Sequence, residues 1–201
     1  MTAATDPTYV QEQFEALFTP IVNMAYGTAV RLTRDRTEAE DLVQDAALLA
    51  FRAFASFQPG TNFKAWFFRI LTNAFYSRHR KAKHDRNNVS TEDLPALYLY
   101  ARTAEIGLHS TEPDPATAMM DRFDSDQVAE ALDALPTEYR VVATLYFIED
   151  FSYQQIADVV GCPVGTVRSR LHRGRRMLQK SLWRVAQERG IVPGSDEDED
   201  S

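Results

Sequence analysis

The chain has 201 residues, of which 44% are hydrophobic, and a formal net charge of −7, a composition that suits one large or two small domains with packed cores. The single cysteine, Cys162, excludes an internal disulfide and any multi-cysteine zinc site, so no metal centre is expected. No apolar stretch approaches the length that crosses a membrane, and residues 1–10 lack a basic region followed by an apolar run. We therefore expect a cytoplasmic protein without membrane insertion.

The charge is unevenly distributed along the chain. Basic residues gather in two blocks, residues 64–86 and 168–189, whereas residues 196–200 are all acidic. The overall acidity therefore conceals two cationic surfaces. The acidic tail, residues 191–201, is expected to be disordered.

The first predicted domain, residues 9–86, begins with apolar residues at helical spacing between positions 9 and 32. Thr37 and Glu40 then form a candidate capping box for a helix that runs to about residue 57. The polar side of this helix carries Asp41, Gln44 and Asp45, and it also contains an apolar residue, Leu48. The alternative interpretation is that this side is a merely solvated acidic face.

The next predicted helix, from about residue 62, is rich in aromatic residues and becomes strongly basic after position 77. Aromatic rings beside cations are typical of single-stranded DNA binding, because each nucleotide offers a base face and a phosphate. The alternative is that the rings belong to a hydrophobic core, which we favour for Phe67, Ile70 and Leu71. Trp66 and Asn73 fit either interpretation.

Residues 87–120 differ in composition, since Asn, Ser, Thr, Pro and Asp recur and the helical period weakens. A connection of this length is uncommon inside one compact domain and predicts a linker between two domains. The second domain, residues 121–190, begins with an amphipathic helix over residues 126–134. Pro136 then starts another helix, which extends to about residue 147.

Residues 151–178 have the pattern of a helix-turn-helix. Ser152 and Gln155 form a capping box, Gly161 suits the left-handed position that ends a helix, and Pro163 suits the first turn of the next. Apolar residues form one face of the second helix: Val164, Val167, Leu171 and Leu178. Arginines occupy the remainder: Arg168, Arg170, Arg173, Arg175 and Arg176. This arrangement allows a helix to rest on a core while it enters the DNA major groove.

An ordinary amphipathic helix with a solvated basic face is the alternative. It is disfavoured because no acidic residue lies between Pro163 and Gln187, and because the capped helix and turn stand at the spacing that the motif requires. No segment shows sustained strand alternation. We therefore predict an all-α protein with two small helical domains and a flexible linker.

Three segments in order resemble the extracytoplasmic-function sigma factors of bacterial RNA polymerase. EDLVQDAALLAFRAFASF resembles the helix that binds core polymerase (region 2.2), and FKAWFFRILTNAFYSRHRK resembles the strand-opening segment (regions 2.3 and 2.4). LPTEYRVVATLYFIEDFSYQQIADVVGCPVGTVRSRLHRGRRML resembles region 4, which ends in its recognition helix. The resemblance implies a promoter-specificity subunit that is not an enzyme and needs no cofactor.

The resemblance also implies site residues. The core-polymerase contacts would be Asp41, Gln44, Asp45 and Leu48, facing the clamp coiled coil of the largest subunit. The −10 contacts would be Trp66, Asn73, Arg78, Arg80 and Lys81, with Asn73 reading a flipped base. The −35 contacts would be Thr166, Arg168, Ser169, Arg170, His172, Arg173 and Arg176. On this helix, Arg168 and Arg173 are expected to read bases. Phosphates are expected to be held by Arg170, Arg175, Arg176 and Lys180.

An anti-sigma factor is the further partner that the resemblance implies. PGTNFKAWFFRILTN and RGIVPG resemble segments of redox-responsive members, whose anti-sigma partner bears zinc. The rival hypothesis is a stand-alone helix-turn-helix regulator with a sensory domain in its first half. Such a regulator would bind its duplex alone, whereas a sigma factor is expected to bind specifically only with core polymerase.

Overall fold

The computed structural model describes residues 7–86 and 125–188, and describes side chains for residues 8–80 and 127–183. In these ranges the regular elements are all helical, which confirms the all-α prediction. The first half contains α1 (Pro7–Phe18), α2 (Val22–Thr33), α3 (Arg36–Ala53) and α4 (Phe63–Arg86). The second half contains α5 (Ser125–Asp133), α6 (Thr137–Phe147), α7 (Tyr153–Val160) and α8 (Val164–Glu188). The predicted linker and the acidic tail lie outside the described residues.

The start of α3 differs from its prediction. The helix begins at Arg36, and Asp35 is its N-cap, with a side-chain oxygen that accepts a hydrogen bond from Glu38 N at 2.8 Å. The predicted capping box of Thr37 and Glu40 was therefore wrong, because both residues lie inside the helix. Asp35 takes the capping position since Arg34 before it ends α2 in the left-handed conformation, with a φ of 62°.

Aromatic side chains fill the core of the first half. Phe67, Phe68 and Leu71 are fully buried on α4, and Phe14 of α1 packs against the rings of Phe51, Phe54 and Phe63. The prediction that Phe67 and Leu71 belong to the core is confirmed, whereas Ile70 is only partly buried. Most of the rings that could have suggested a base-stacking surface therefore serve packing.

The second half has a smaller core of its own, between α5, α6 and α8. It contains Val128, Leu132, Leu135, Leu178 and Leu182, all buried. Leu178 and Leu182 belong to the seam of the long helix α8, and Val167 and Leu171 continue that seam towards its N-terminus. The predicted apolar face of the recognition helix is thus present, with Leu182 as an additional member.

The two halves also pack directly against each other. The main hydrophobic core is continuous from α1 to α8, and the ring of Phe68 on α4 meets that of Phe151 at a centroid distance of 5.4 Å. Across the same boundary, Thr72 Oγ1 on α4 donates to the carbonyl oxygen of Val159 on α7 at 3.2 Å. The sequence pattern predicted two helical units, but it did not predict that they would share a core.

Candidate nucleic-acid and protein interfaces

The predicted protein-binding face lies on α3. All four of its residues are exposed, and their spacing of three or four positions places them on one side of the helix. They are Asp41, Gln44, Asp45 and Leu48, and the leucine is 49% exposed. An exposed leucine beside two carboxylates and an amide offers a partner both apolar contact and hydrogen-bond acceptors.

Arg78 on α4 contacts this α3 face. Its guanidinium donates to the carbonyl oxygen of Asp41 at 2.9 Å and forms an ion pair with the carboxylate of Asp45. Both side chains are substantially exposed, at 39% and 58%, so the pair contributes little to stability. One residue predicted to hold DNA phosphate is therefore in contact with two residues predicted to bind the polymerase.

The other residues of the predicted −10 surface occupy different environments. Asn73 and Arg80 are exposed on α4, as base or phosphate contacts require. Trp66 is half-buried, and its ring lies 5.2 Å from that of Phe57 and 5.5 Å from that of Phe63. Lys81 continues the same helix, beyond the residues whose side chains the structure describes.

The helix-turn-helix forms as predicted. Ser152 Oγ accepts from Gln155 N, and Gln155 Oε1 accepts from Ser152 N at 2.8 Å, which completes the capping box of α7. Gly161 ends α7 with a φ of 71°, in the left-handed region that favours glycine. The buried stripe of α7 consists of Ile156, Ala157 and Val159, and Val160 is half-buried.

The predicted −35 residues follow the turn on α8. Arg168, His172, Arg173 and Arg176 are exposed. Thr166, Ser169 and Arg170 are half-buried, and Ser169 Oγ donates to the carbonyl oxygen of Thr166 at 3.0 Å. The exposed members thus present three guanidiniums and an imidazole on the surface of a helix that is seated on its core.

The guanidinium of Arg175 contacts side chains of two other helices in the second half. Its guanidinium lies 5.3 Å from the ring centroid of Tyr146 and 5.8 Å from that of Phe147, and it donates to the hydroxyl of Tyr153 at 3.1 Å. These contacts tie α8 to α6 and α7 through cation–π attraction and a hydrogen bond. The position stabilises the fold, although the arginine pattern alone had suggested a phosphate contact.

A buried polar cluster that the sequence did not predict joins the two halves. Glu149, 4% exposed, accepts from Thr28 Oγ1 at 2.8 Å, and its carboxylate lies 3.0 Å from Lys64 Nζ. Lys64 also donates to the backbone carbonyl of Glu149 at 2.8 Å and lies 4.9 Å from the ring centroid of Phe151. The one sequence signal that could have indicated this cluster is the position of Glu149 between the aromatic residues Phe147 and Phe151.

Tyr76 and Cys162 form a second contact region between the halves. Burial raises the pKa of the Tyr76 phenol to about 12, against a smaller lowering by Arg170. Burial likewise raises the pKa of the Cys162 thiol, again opposed by Arg170. The influence of Cys162 and Arg170 on Tyr76 places the end of α7 and the start of α8 beside α4.

The described residues contain neither a membrane-crossing helix nor a candidate metal site. In the ranges 7–86 and 125–188, no helix is long and apolar enough to cross a membrane. Over the same ranges, no group of three or more His, Cys, Asp or Glu side chains could hold a metal ion.

Known protein families match both halves of the chain. Residues 17–85 match the family described as Sigma-70 region 2, and residues 125–178 match Sigma-70, region 4. The first match spans α2, α3 and most of α4, and the second spans α5 to the middle of α8. The two matches follow the order that the three sequence segments predicted.

Individual relatives match most of the chain. It is 33% identical over 185 residues to the ECF RNA polymerase sigma factor SigE of Mycolicibacterium smegmatis, covering 92% of this chain and 67% of the relative. It is 30% identical over 173 residues to the ECF RNA polymerase sigma factor SigW of Bacillus subtilis, covering 86% and 90%. Among solved structures, the sigma factor RpoE in complex with the anti-sigma factor NepR from Bartonella quintana is 30% identical, with a TM-score of 0.63, covering 86% of this chain and 98% of that one.

Proposed function

Because this chain belongs to the extracytoplasmic-function sigma factors of bacterial RNA polymerase, we propose that it binds core polymerase and directs promoter-specific transcription initiation. The observation that supports this most directly is the helix-turn-helix, whose second helix exposes Arg168, Arg173 and Arg176 while Val167 and Leu171 hold it on the core. The protein contributes recognition and strand opening, and the polymerase performs the nucleotidyl chemistry. The match of residues 17–85 to region 2 argues against the rival regulator, which would need a sensory domain there.

Run-off transcription with purified core polymerase tests the proposal. We expect the protein to direct a specific transcript from a promoter that core polymerase alone does not use, and to bind promoter duplex specifically only in the holoenzyme. A free protein that shifts a specific duplex without polymerase would support the stand-alone regulator instead. Failure to associate with core polymerase at all would exclude the sigma-factor function.

We propose that α4 opens the −10 element by capturing an unpaired base. Asn73 is exposed and its amide can both donate and accept, so it can bond the edge of a base that has left the stack. Extruding a base costs a few kcal/mol, which contacts made only to the open strand can offset. Arg80 is exposed on the same helix, and we propose that it holds a phosphate of that strand.

Alanine at Asn73 is expected to impair promoter opening and to spare binding to the closed duplex. The reason is that only the open strand presents a base edge to this amide. Permanganate reactivity of thymines in the bubble should fall, while the affinity of the holoenzyme for closed promoter DNA should stay unchanged.

Gln11→Ala provides a matched control for this experiment. It removes an exposed amide from α1, where Gln11 Nε2 donates to Glu15 Oε1, one turn further along the helix, at 2.8 Å. It should open the promoter normally. Normal permanganate reactivity in Asn73→Ala would show that this amide does not capture the base.

We also propose that an anti-sigma factor binds this protein. The related RpoE structure contains such a partner, NepR, and α3 here exposes Leu48, Leu49 and Phe51 at 49%, 47% and 39%. An apolar surface of this kind favours a protein partner in addition to the polymerase. The resemblance to redox-responsive members further predicts that this partner bears zinc. Isolation of the protein from its own cells with a bound partner, and the metal content of that partner, would test both points.

A further inference from the structure

One side of α8 carries a row of exposed side chains, most of them cationic. A spacing of three or four positions places its members along one side of the helix, beside the apolar seam that is buried. They are Arg168, His172, Arg176, Lys180 and Trp183. This set is called the cationic row below, and it extends from the second turn of α8 almost to Glu188, where the helix ends.

The cationic row has no acidic partners on its own helix face. Between Pro163 and Gln187 the sequence contains no Asp or Glu. Among the side chains that the structure describes, no ion pair includes Arg168, Arg176 or Lys180. Charges of one sign that lie four positions apart on a helix repel each other, so an anion that binds along the row is favoured.

The sequence that follows α8 supplies such an anion. Residues 196–200 are DEDED, five carboxylates in succession. Before them, residues 191–194 are IVPG, two apolar residues and then a Pro-Gly pair that is typical of turns. From its end backwards, α8 presents the exposed Trp183 and then the cations, and the segment after it has its apolar pair and then its carboxylates. The two orders match if the chain reverses direction after α8.

The lengths of the two stretches are compatible with this reversal. Along the helix, Lys180 lies about 12 Å and Arg176 about 18 Å before Glu188, at 1.5 Å per residue. Asp196 is eight residues beyond Glu188, and an extended chain of that length spans up to about 28 Å. The carboxylates can therefore reach both cations and leave enough chain for a turn.

We propose that residues 196–200 bind the cationic row of α8 within the same chain and compete there with the phosphates of duplex DNA. The competition rests on the proposed promoter function, whereas the contact itself does not. An anion tethered this close to the row has a high effective concentration there, so individually weak charge pairs are sufficient. The partner of this face in the free protein is thus a segment of its own sequence.

The competition acts most visibly on DNA that lacks a promoter. Nonspecific DNA binding depends essentially on phosphate contacts, which carboxylates can replace in charge. The base edges that Arg168 and Arg173 are expected to read have no counterpart in the acidic segment. The segment lowers the affinity of α8 for every duplex, and the weaker, nonspecific complexes are lost first. More of the free protein therefore stays available to core polymerase.

Carbodiimide cross-linking of the full-length protein tests the contact, because the reagent joins a carboxylate to a lysine that touches it. Lys180 is the one lysine in the sequence of α8, and the others in the chain are Lys64, Lys81 and Lys83. Mass spectrometry should find residues 196–200 joined to Lys180 within one chain. The yield should fall in about 1 M salt, where the Debye length is ~3 Å, and also when duplex DNA is added.

Neutralising the acidic segment tests the competition. The affinity of the free protein for a duplex without promoter elements should rise about tenfold at low salt, and the rise should shrink as salt is added. Fluorescence anisotropy of the labelled duplex gives both affinities. The variant combines Asp196→Asn, Glu197→Gln, Asp198→Asn, Glu199→Gln and Asp200→Asn.

A second variant has the same net charge but keeps the acidic segment. It neutralises five exposed carboxylates in other parts of the chain, and its affinity for the same duplex should rise only about twofold through the change in net charge. The substitutions are Glu12→Gln, Glu15→Gln, Glu130→Gln, Glu138→Gln and Asp150→Asn.

Absence of the cross-link to Lys180, or its formation only between two copies of the chain, would overturn the proposal. Cross-links to Lys81 or Lys83 in its place would put the acidic segment on α4 and would overturn it as well. So would equal affinities of the two neutralised variants for the duplex. Loss of run-off transcription with the cross-link intact would reject the proposed function, whereas normal transcription without the cross-link would reject only this inference.

Discussion

Alanine at Arg173 is expected to weaken promoter recognition by about 1–3 kcal/mol, and to do so at one base pair of the −35 element. Arg173 is exposed on α8, two residues beyond the buried Leu171 that seats the helix. A guanidinium can bond the O6 and N7 atoms of guanine together, so its loss removes discrimination at that base. Holoenzyme affinity for promoters that differ at single −35 positions, measured at fixed salt, would detect the effect.

Arg176→Ala is the matched control, since it removes the same group from an exposed site three residues away. Its predicted contact is to phosphate, which carries no sequence information. The loss of affinity should therefore be similar for every promoter variant, and the dependence of binding on salt should become shallower. If Arg173→Ala also lowered the affinity equally for every promoter variant, Arg173 would be a phosphate contact and not a base contact.

The double substitution Asp41→Ala with Gln44→Ala is expected to weaken binding to core polymerase by about 2 kcal/mol or more, roughly thirtyfold in the dissociation constant. Both side chains are exposed on the α3 face, and neither is in the hydrophobic core. The fold should remain intact, because the substitutions remove surface groups from a helix and alanine favours helices. Fluorescence anisotropy of labelled protein titrated with core polymerase gives the affinity, and circular dichroism checks the fold.

Glu12→Ala controls for the loss of one negative charge. Glu12 is exposed on α1, outside the α3 face. Binding to core polymerase should be close to that of the wild type. Equal affinities of the wild type and the double variant would show that the polymerase contacts another face.

Local signals in the sequence were enough to predict the helix-turn-helix. The capping box of Ser152 and Gln155, the left-handed Gly161 and the apolar seam of α8 each depend on residues within a few positions. The start of α3 was misplaced because Asp35 and Thr37 are both good N-cap residues, and a pattern cannot choose between caps two positions apart. The left-handed backbone conformation of Arg34 ends α2 and leaves Asp35 as the N-cap of α3.

Contacts between the halves could not be predicted in the same way. The bond from Thr28 to Glu149 joins residues 121 positions apart, and no periodicity encodes such a pairing. The same holds for Arg175, which the arginine pattern placed among DNA contacts but which Tyr146 and Tyr153 engage from neighbouring helices. Side-chain roles that depend on tertiary neighbours require the structure, even where the helix itself is evident.

The burial of Tyr76 makes the stability of the folded chain depend on alkaline pH. Burial raises the pKa of its phenol to about 12, against an ordinary value of 10.0, so the folded chain keeps a proton that the unfolded chain loses. Below pH 10 both forms hold this proton, and stability does not change with pH through this group. Between pH 10 and about 12 the folded form loses stability progressively, because only the unfolded chain gives up the proton there.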